Sequence, residues 1–146
     1  MLPFCGYNMG DYFAHWLEIG RSLAKPPRIF RVNWFRRGDD ARFLWPGFGQ
    51  NMRVLQWIIS RCEGQDKAVR TPIGWIPTKD SLRTENLGMS PEQLEQLFAM
   101  DIEGWRSALR GQAEFFTSFG DRLPKELREE HEALGKRLEQ AQMTTA

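Results

Sequence analysis

Residues 33–51 read NWFRRGDDARFLWPGFGQN, and the interpretation of the whole chain turns on what these rings are for. A half-buried strand alternates apolar and polar side chains, but Trp34-Phe35 and Phe43-Leu44-Trp45 put large apolar groups on both faces of short runs. At least one face therefore needs a second partner. The simplest partner is the domain's own core, the usual fate of an aromatic cluster. Two details point instead to a ligand. Pro46-Gly47-Phe48-Gly49 sets one ring between two glycines, where backbone and ring can both approach a bound molecule closely. Asn51 follows, with an amide that both donates and accepts. Flat apolar faces beside an amide suit a purine base.

Working outward, residues 28–35 (RIFRVNWF) alternate like a half-buried strand, Gly38-Asp39-Asp40 turns a hairpin, and residues 43–45 return before Pro46. Upstream of the Lys25-Pro26-Pro27 connector, residues 3–10 read as a short strand entering a turn. Asp11 then caps a helix whose Tyr12, Phe13, Trp16, Leu17 and Ile19 form one apolar face ended by Gly20. On the other side a helix starts near Gln50, with Asn51, Leu55, Ile58, Ile59 and Cys62 on one face and Gly64 past its end. Its unpaired first N–H groups abut Phe48, ready for an electron-rich atom such as a base carbonyl.

Residues 69–76 resemble an interrupted or edge strand, because Pro72 cannot donate to a ladder, and residues 79–88 read as loop. Ser90 and Gln93 then form a capping box, with Pro91 at the first helical position and Met89 facing Leu94 as a hydrophobic staple. Helical spacing continues through Ile102, Trp105, Leu109, Gln112, Phe116 and Phe119 until the break at Leu123-Pro124. Leu127, His131, Leu134, Leu138 and Ala141 make a last stripe among charges, a packing helix in which His131 is exposed or interfacial. The expected class is α+β, with a few short strands in about the first 80 residues and helices over residues 90–142.

A chain of 146 residues with 41% hydrophobic and 27% charged residues suits one soluble domain. No run approaches the ~20 apolar residues of a membrane helix and no basic-then-apolar leader opens the chain, so cytoplasmic residence is the expectation. Cys5 and Cys62 lack CxxC spacing and, with only His15 and His131, supply no zinc set, which favours reduced thiols. The net charge of +1 hides an asymmetry: residues 1–70 carry 11 Lys+Arg against 6 Asp+Glu, and residues 71–146 carry 9 against 13. Arg28, Arg31, Arg36, Arg37 and Arg42 crowd the aromatic stretch, either to attract a polyanion or triphosphate or as a solvated rim paired with Asp39 and Asp40.

The chemistry that is absent from the sequence matters as much. The one Gly-Lys pair, Gly135-Lys136, is followed by Arg137, so no GxxxxGK[ST] phosphate loop exists. No serine elbow, metal-ligand cluster or tuned carboxylate pair is recognisable, and neither a catalytic residue nor a metal ligand is assigned. The chain reads as half a site.

PFCGYNMGDYFAHW, PRIFRVNWFRR, FLWPGFGQNMRVLQWI and TPIGWIP resemble, in this order, the C-terminal portion of GTP-dependent phosphoenolpyruvate carboxykinases. The resemblance extends from Pro3 to about Leu138 and is densest over residues 3–20, 28–59 and 71–77. It implies one incomplete domain, residues 1–146, of a gluconeogenic cytoplasmic enzyme that is normally monomeric and several times longer. That enzyme converts oxaloacetate and GTP to phosphoenolpyruvate, GDP and CO2 with manganese and magnesium. It also implies a guanine pocket in which Trp34 and Phe35 form a wall, Phe43 and Phe48 close on the base, and Asn51 with Gly49, Gln50 and the local backbone reads its edge. Gln50 stands where many members have glutamate, and Leu2 where arginine is usual, which suggests that Met1-Leu2 is a new start. The phosphate loop, metal ligands, substrate arginines and mobile lid of the family belong to an upstream part that is its expected partner. No membrane or nucleic-acid partner is expected, and this chain alone should be inactive. A single-stranded nucleic-acid binder and a purely structural module are the alternatives, the first with steep salt dependence and no GTP preference.

Overall fold

The computed structural model describes residues 2–65 and 67–145; Met1, half of the expected new start, lies outside the described residues. Among them run α1 (Met9–Ser22), α2 (Asn51–Cys62), β1 (Ala68–Thr71), β2 (Gly74–Pro77), α3 (Pro91–Phe98), α4 (Ile102–Thr117) and α5 (Lys125–Thr145). The class is α+β, with the strands before residue 80 and helices from Pro91 onward. No helix among the described residues is long and apolar enough to cross a membrane.

Two compact units form, Met1–Pro27 with Asp101–Ala146, and Arg28–Met100. In the first, Met9, Phe119 and Leu123 make a core on which Tyr12, Phe13, Phe116 and Leu127 pack, and Leu138 is fully buried. Residues 3–10 form no strand: a 3-10 turn at Leu2–Phe4 leads to Asn8, whose side chain accepts from the Gly10 N–H. An asparagine that satisfies an orphan donor starts α1 two residues before Asp11. Asp11 instead pairs with Arg122 at 2.7 Å. Nor does Gly20 end the helix, which runs to Ser22 until Leu23 turns extended ahead of the prolines. Gly20 has open space around its Cα, whereas a Cβ on Gly10 would collide with the Arg122 carbonyl oxygen. Gly135 similarly admits Leu109 of α4 against α5, and the His131 ring reaches the Leu109 carbonyl at 3.0 Å, interfacial as its stripe implies.

The helical spacing between residues 91 and 119 conceals a break. Ala99 turns extended after α3, and the Asp101 carboxylate accepts from the Gly104 N–H to start α4 afresh. Phe119 is buried, but in the turn after α4, where it packs edge-on to Phe13 at 5.8 Å. Trp105, on the same stripe, is only half-buried.

In the second unit, Trp45, Trp57, Leu82 and Leu87 form the core, with Phe30, Trp34, Val54, Ile58, Met89, Leu97 and Phe98 packed on it. The capping box is present, Ser90 Oγ accepting from the Gln93 N–H at 3.2 Å and Gln93 Oε1 from the Ser90 N–H at 2.9 Å. Residues 68–77 are an antiparallel hairpin rather than one interrupted strand. Pro72 and Ile73 occupy the two-residue turn, where the missing N–H is harmless. Residues 28–35 form no strand. The Asn33 side chain accepts from the Phe35 N–H, a local bond that competes with a ladder, and the hairpin around Gly38 shrinks to one bridge, Arg37 to Phe43. The buried face of α2 carries Trp57, with Val54 and Ile58 beside it, while Leu55, Ile59 and Cys62 are exposed. Trp57 outweighs them because it buries the largest ring and its N–H finds the Lys67 carbonyl at 3.2 Å.

Gly10→Ala should destabilise the protein by about 1–3 kcal/mol through overpacking, whereas Gly20→Ala should stabilise it by about 0.5–1 kcal/mol through helix propensity. Thermal melts should therefore shift in opposite directions. Shifts of the same sign would mean that Gly10 is not in tight contact with the turn at Arg122.

Candidate functional site

The sequence-expected site residues fall into two groups within the second unit. Phe35 and Phe43 pack edge-to-face at 5.9 Å, and the Arg37 guanidinium lies 4.5 Å from the Phe43 centroid. Phe35 is 71% and Phe43 51% exposed. One aromatic surface of Phe43 is thus engaged by a cation, and Phe35 offers the more open face. Phe48, Gly49 and Gln50 make a 3-10 turn that leads directly into α2 at Asn51. Gly47 has φ 123°, a backbone conformation that side chains oppose, and it swings Phe48 outward to 91% exposure. Among the described residues no ring pair joins Phe48 to Phe35 or Phe43.

Trp34 belongs more to the core than to a wall: it is half-buried and tilted against Trp45 at 6.0 Å. Trp45, absent from the sequence-expected set of site residues, connects the core to the candidate site. It is 6% exposed, and its indole N–H donates to Asn51 Oδ1 at 2.9 Å. An indole nitrogen only donates, so the amide oxygen must face it and the Asn51 NH2 is turned away. The sequence signal was present, since Trp45 precedes Pro46 and the loop. What could not be read was that its N–H would reach six residues ahead.

The backbone offers fewer donors than expected. The 3-10 turn uses the Gln50 N–H on the Gly47 carbonyl at 3.1 Å and the Asn51 N–H on the Phe48 carbonyl. The Phe48 and Gly49 N–H groups open that turn and have no acceptor within it. Gln50 Oε1 accepts from Arg53 Nε at 2.7 Å, and Arg53 also donates to the Arg83 carbonyl at 3.0 Å, pinning the start of α2 to the 79–88 loop.

The arginines are tied largely to backbone rather than to Asp39 and Asp40. Arg36 donates to the Leu97 and Ala99 carbonyls at 2.9 and 2.7 Å, the C-terminal end of α3. Arg37 reaches the Ala41 carbonyl, and Arg28 the Arg61 carbonyl. Arg42 shows the expected carboxylate pairing, 2.7 Å from Asp40. Hydrogen bonds from the Arg42 backbone and side chain hold the Asp40 carboxyl below its ordinary range. Asp39 bonds Gln96 instead, at 2.9 Å. A carbonyl contact fixes a guanidinium without neutralising it, so this rim stays cationic. The arrangement can stack a planar group, offer it an aimed amide donor, and favour an anionic tail.

The sequence model described as phosphoenolpyruvate carboxykinase C-terminal P-loop domain matches residues 1–137. Phosphoenolpyruvate carboxykinase [GTP] of Treponema pallidum is 47% identical over 141 residues, 94% of this chain and 23% of that protein. The proteins of the same name from Thermoplasma volcanium and Renibacterium salmoninarum are each 48% identical, with the same coverage. The chain thus spans about a quarter of the length of the curated relatives it matches.

Replacing Asn51 by leucine should leave the buried Trp45 N–H without its acceptor and cost about 1–3 kcal/mol. Phe48→Ala should leave stability nearly unchanged, because the ring is 91% exposed. Adding Trp45→Phe to Asn51→Leu should remove that unpaired-donor penalty, since both partners are then gone. Urea unfolding gives all three values, and a Phe48→Ala loss as large as that of Asn51→Leu would show that the ring is core.

Proposed function

Because the chain belongs to the GTP-dependent phosphoenolpyruvate carboxykinase family, we propose that residues 33–51 form its guanine-recognising surface. The observation that carries this reading is the Trp45–Asn51 bond, which aims an amide NH2 away from the core beside a solvent-exposed ring. Guanine presents a carbonyl where adenine presents an amino group, so an aimed donor attracts the first and meets another donor in the second. Stacking on Phe48 and Phe35 contributes affinity without choosing the base, about 1–3 kcal/mol per ring. Selectivity therefore rests on Asn51 and on the opening N–H groups of the 3-10 turn.

The reaction proposed for the complete assembly is conversion of oxaloacetate and GTP to phosphoenolpyruvate, GDP and CO2, a gluconeogenic step carried out by a cytoplasmic monomer. This chain would hold and orient the base while the part of the relatives that it does not span supplies phosphate and oxaloacetate contacts. The manganese and magnesium that the family implies find no fitting ligand set here. Among the described residues no three His, Cys, Asp or Glu side chains come together, and no step through a metal is assigned to this chain. Phosphoryl transfer depends on positioning and charge stabilisation around the phosphates, so the 146-residue chain alone should not turn over oxaloacetate. Measurable turnover by the pure chain would refute that expectation.

Calorimetric titration with GTP, ATP and a short single-stranded oligonucleotide tests the reading. GTP should bind at least fivefold more tightly than ATP, and Phe48→Ala should weaken GTP roughly tenfold, in line with the loss of one stacking contact. Equal affinity for GTP and ATP, or oligonucleotide binding that falls steeply with salt and exceeds GTP binding, would replace this reading with single-stranded nucleic-acid recognition.

A further inference from the structure

Helix α2 carries one apolar arc of about 220° at 3.6 residues per turn, and only part of it is covered. Trp57, Val54 and Ile58 face the core of the second unit. Along the rest of the arc Met52 is 62%, Leu55 43% and Ile59 57% exposed, and Cys62 at the end of the helix is exposed too. At 3.6 residues per turn these four positions fall within an arc of about 80°. Their spacing of three, four and three residues is that of a helix-packing seam. A helix whose apolar arc is this much wider than one packing stripe is built to meet two neighbours. The rest of the molecule shows the same deficit: among the described residues nine hydrophobic side chains are buried and fourteen large ones are exposed, an inversion for a chain of this length.

We propose that the Met52–Leu55–Ile59–Cys62 stripe docks the phosphate-cradling remainder of the nucleotide-binding domain, and this rests on the guanine-site reading above. Two observations choose that occupant. The matched relatives are about four times as long as this chain, which covers 23% of them, so most of their structure has no counterpart here. The matched family is also described by a P-loop, and this sequence has none. In addition, a nucleotide's phosphates are covalently tied to its base, so the element that holds them must lie close to Phe48 and Asn51. Those residues sit at the N-terminal end of α2, and the stripe runs from there.

The test uses the thiol of Cys62 as a reporter. The 146-residue chain is compared with two chimeras in which it replaces the matching segment of the Treponema and Thermoplasma relatives. Maleimide labelling at the Cys62 peptide is followed by mass spectrometry, and GTP binding is measured in parallel. Cys62 should label at least tenfold more slowly in the chimeras than in the chain alone. Leu55→Gln with Ile59→Gln should lower the chimera's Tm while leaving that of the 146-residue chain unchanged. Undiminished labelling in a chimera that binds GTP would overturn the docking seam alone. Protection in a chimera that binds no GTP would uphold the seam and count against the base-binding reading. Failure of both chimeras to melt cooperatively would count against the seam, as would protection in the isolated chain that rises with concentration, since a second copy would then be the occupant.

Discussion

The hydrogen bond from the Trp45 indole to the Asn51 amide is the constraint on which the candidate site depends. Trp45 is held by the core it shares with Trp57, Leu82 and Leu87, so whatever it bonds inherits that rigidity. Asn51 is the first residue of α2 and follows the 3-10 turn that carries Phe48. One bond thus fixes the amide orientation, the start of a helix and the root of an exposed ring. Guanidinium contacts add to this from outside, Arg53 bracing Gln50 and Arg36 closing the end of α3. Arg28, Arg36, Arg37 and Arg53 serve first as fasteners for carbonyls, contacts that leave their charge un-neutralised.

Short-range chemistry was legible in the sequence. The Ser90–Gln93 box, the break at Leu123-Pro124, the turn at Gly38 and the start of α2 beside Phe48 each depend on residues within four positions of one another. Tertiary partners were not. Residues 28–35 alternate like a strand, but a strand needs a neighbour, and Asn33 satisfies the Phe35 N–H locally instead. Gly20 reads as a stop and Gly10 as ordinary, because only the fold reveals that Arg122 crowds one and nothing crowds the other. The site residues were nameable one at a time from resemblance. The Trp45–Asn51 link and the consumption of the Gln50 and Asn51 N–H groups inside the turn were invisible, because both are geometric.

The apolar arc of α2 is wider than one core covers. Asn51, Leu55, Ile58, Ile59 and Cys62 were grouped because they satisfy helical spacing, and a second set around Trp57 satisfies it equally. The two sets lie side by side on one wide apolar arc, with Arg53, Gln56 and Ser60 opposite, so spacing alone does not say which part is buried. Given one core in the second unit, Trp57 wins it by burying the larger ring, and the neighbouring stripe is left facing water. Which part of the arc is covered depends on tertiary partners, and spacing within the helix carries no information about them.

Exposed apolar surface then has two meanings in this molecule, and the local geometry distinguishes them. Covering a phenylalanine gains about 1.5–3 kcal/mol, so a ring 91% exposed, as Phe48 is, forgoes most of that in the isolated chain. The same holds for Met52, Leu55 and Ile59. On α2 the exposed groups are aliphatic, recur with helical period and offer no side-chain hydrogen bonds, which matches the surface of another helix or sheet. Around Phe48 the period is lost, Gly47 takes a left-handed backbone to project one ring, and an aimed amide and two opening N–H groups stand beside it. Aperiodic rings with directional donors match a small planar molecule with polar edges. Both deficits adjoin at the N-terminal end of α2. The proposed base site and the proposed docking seam therefore share one helix.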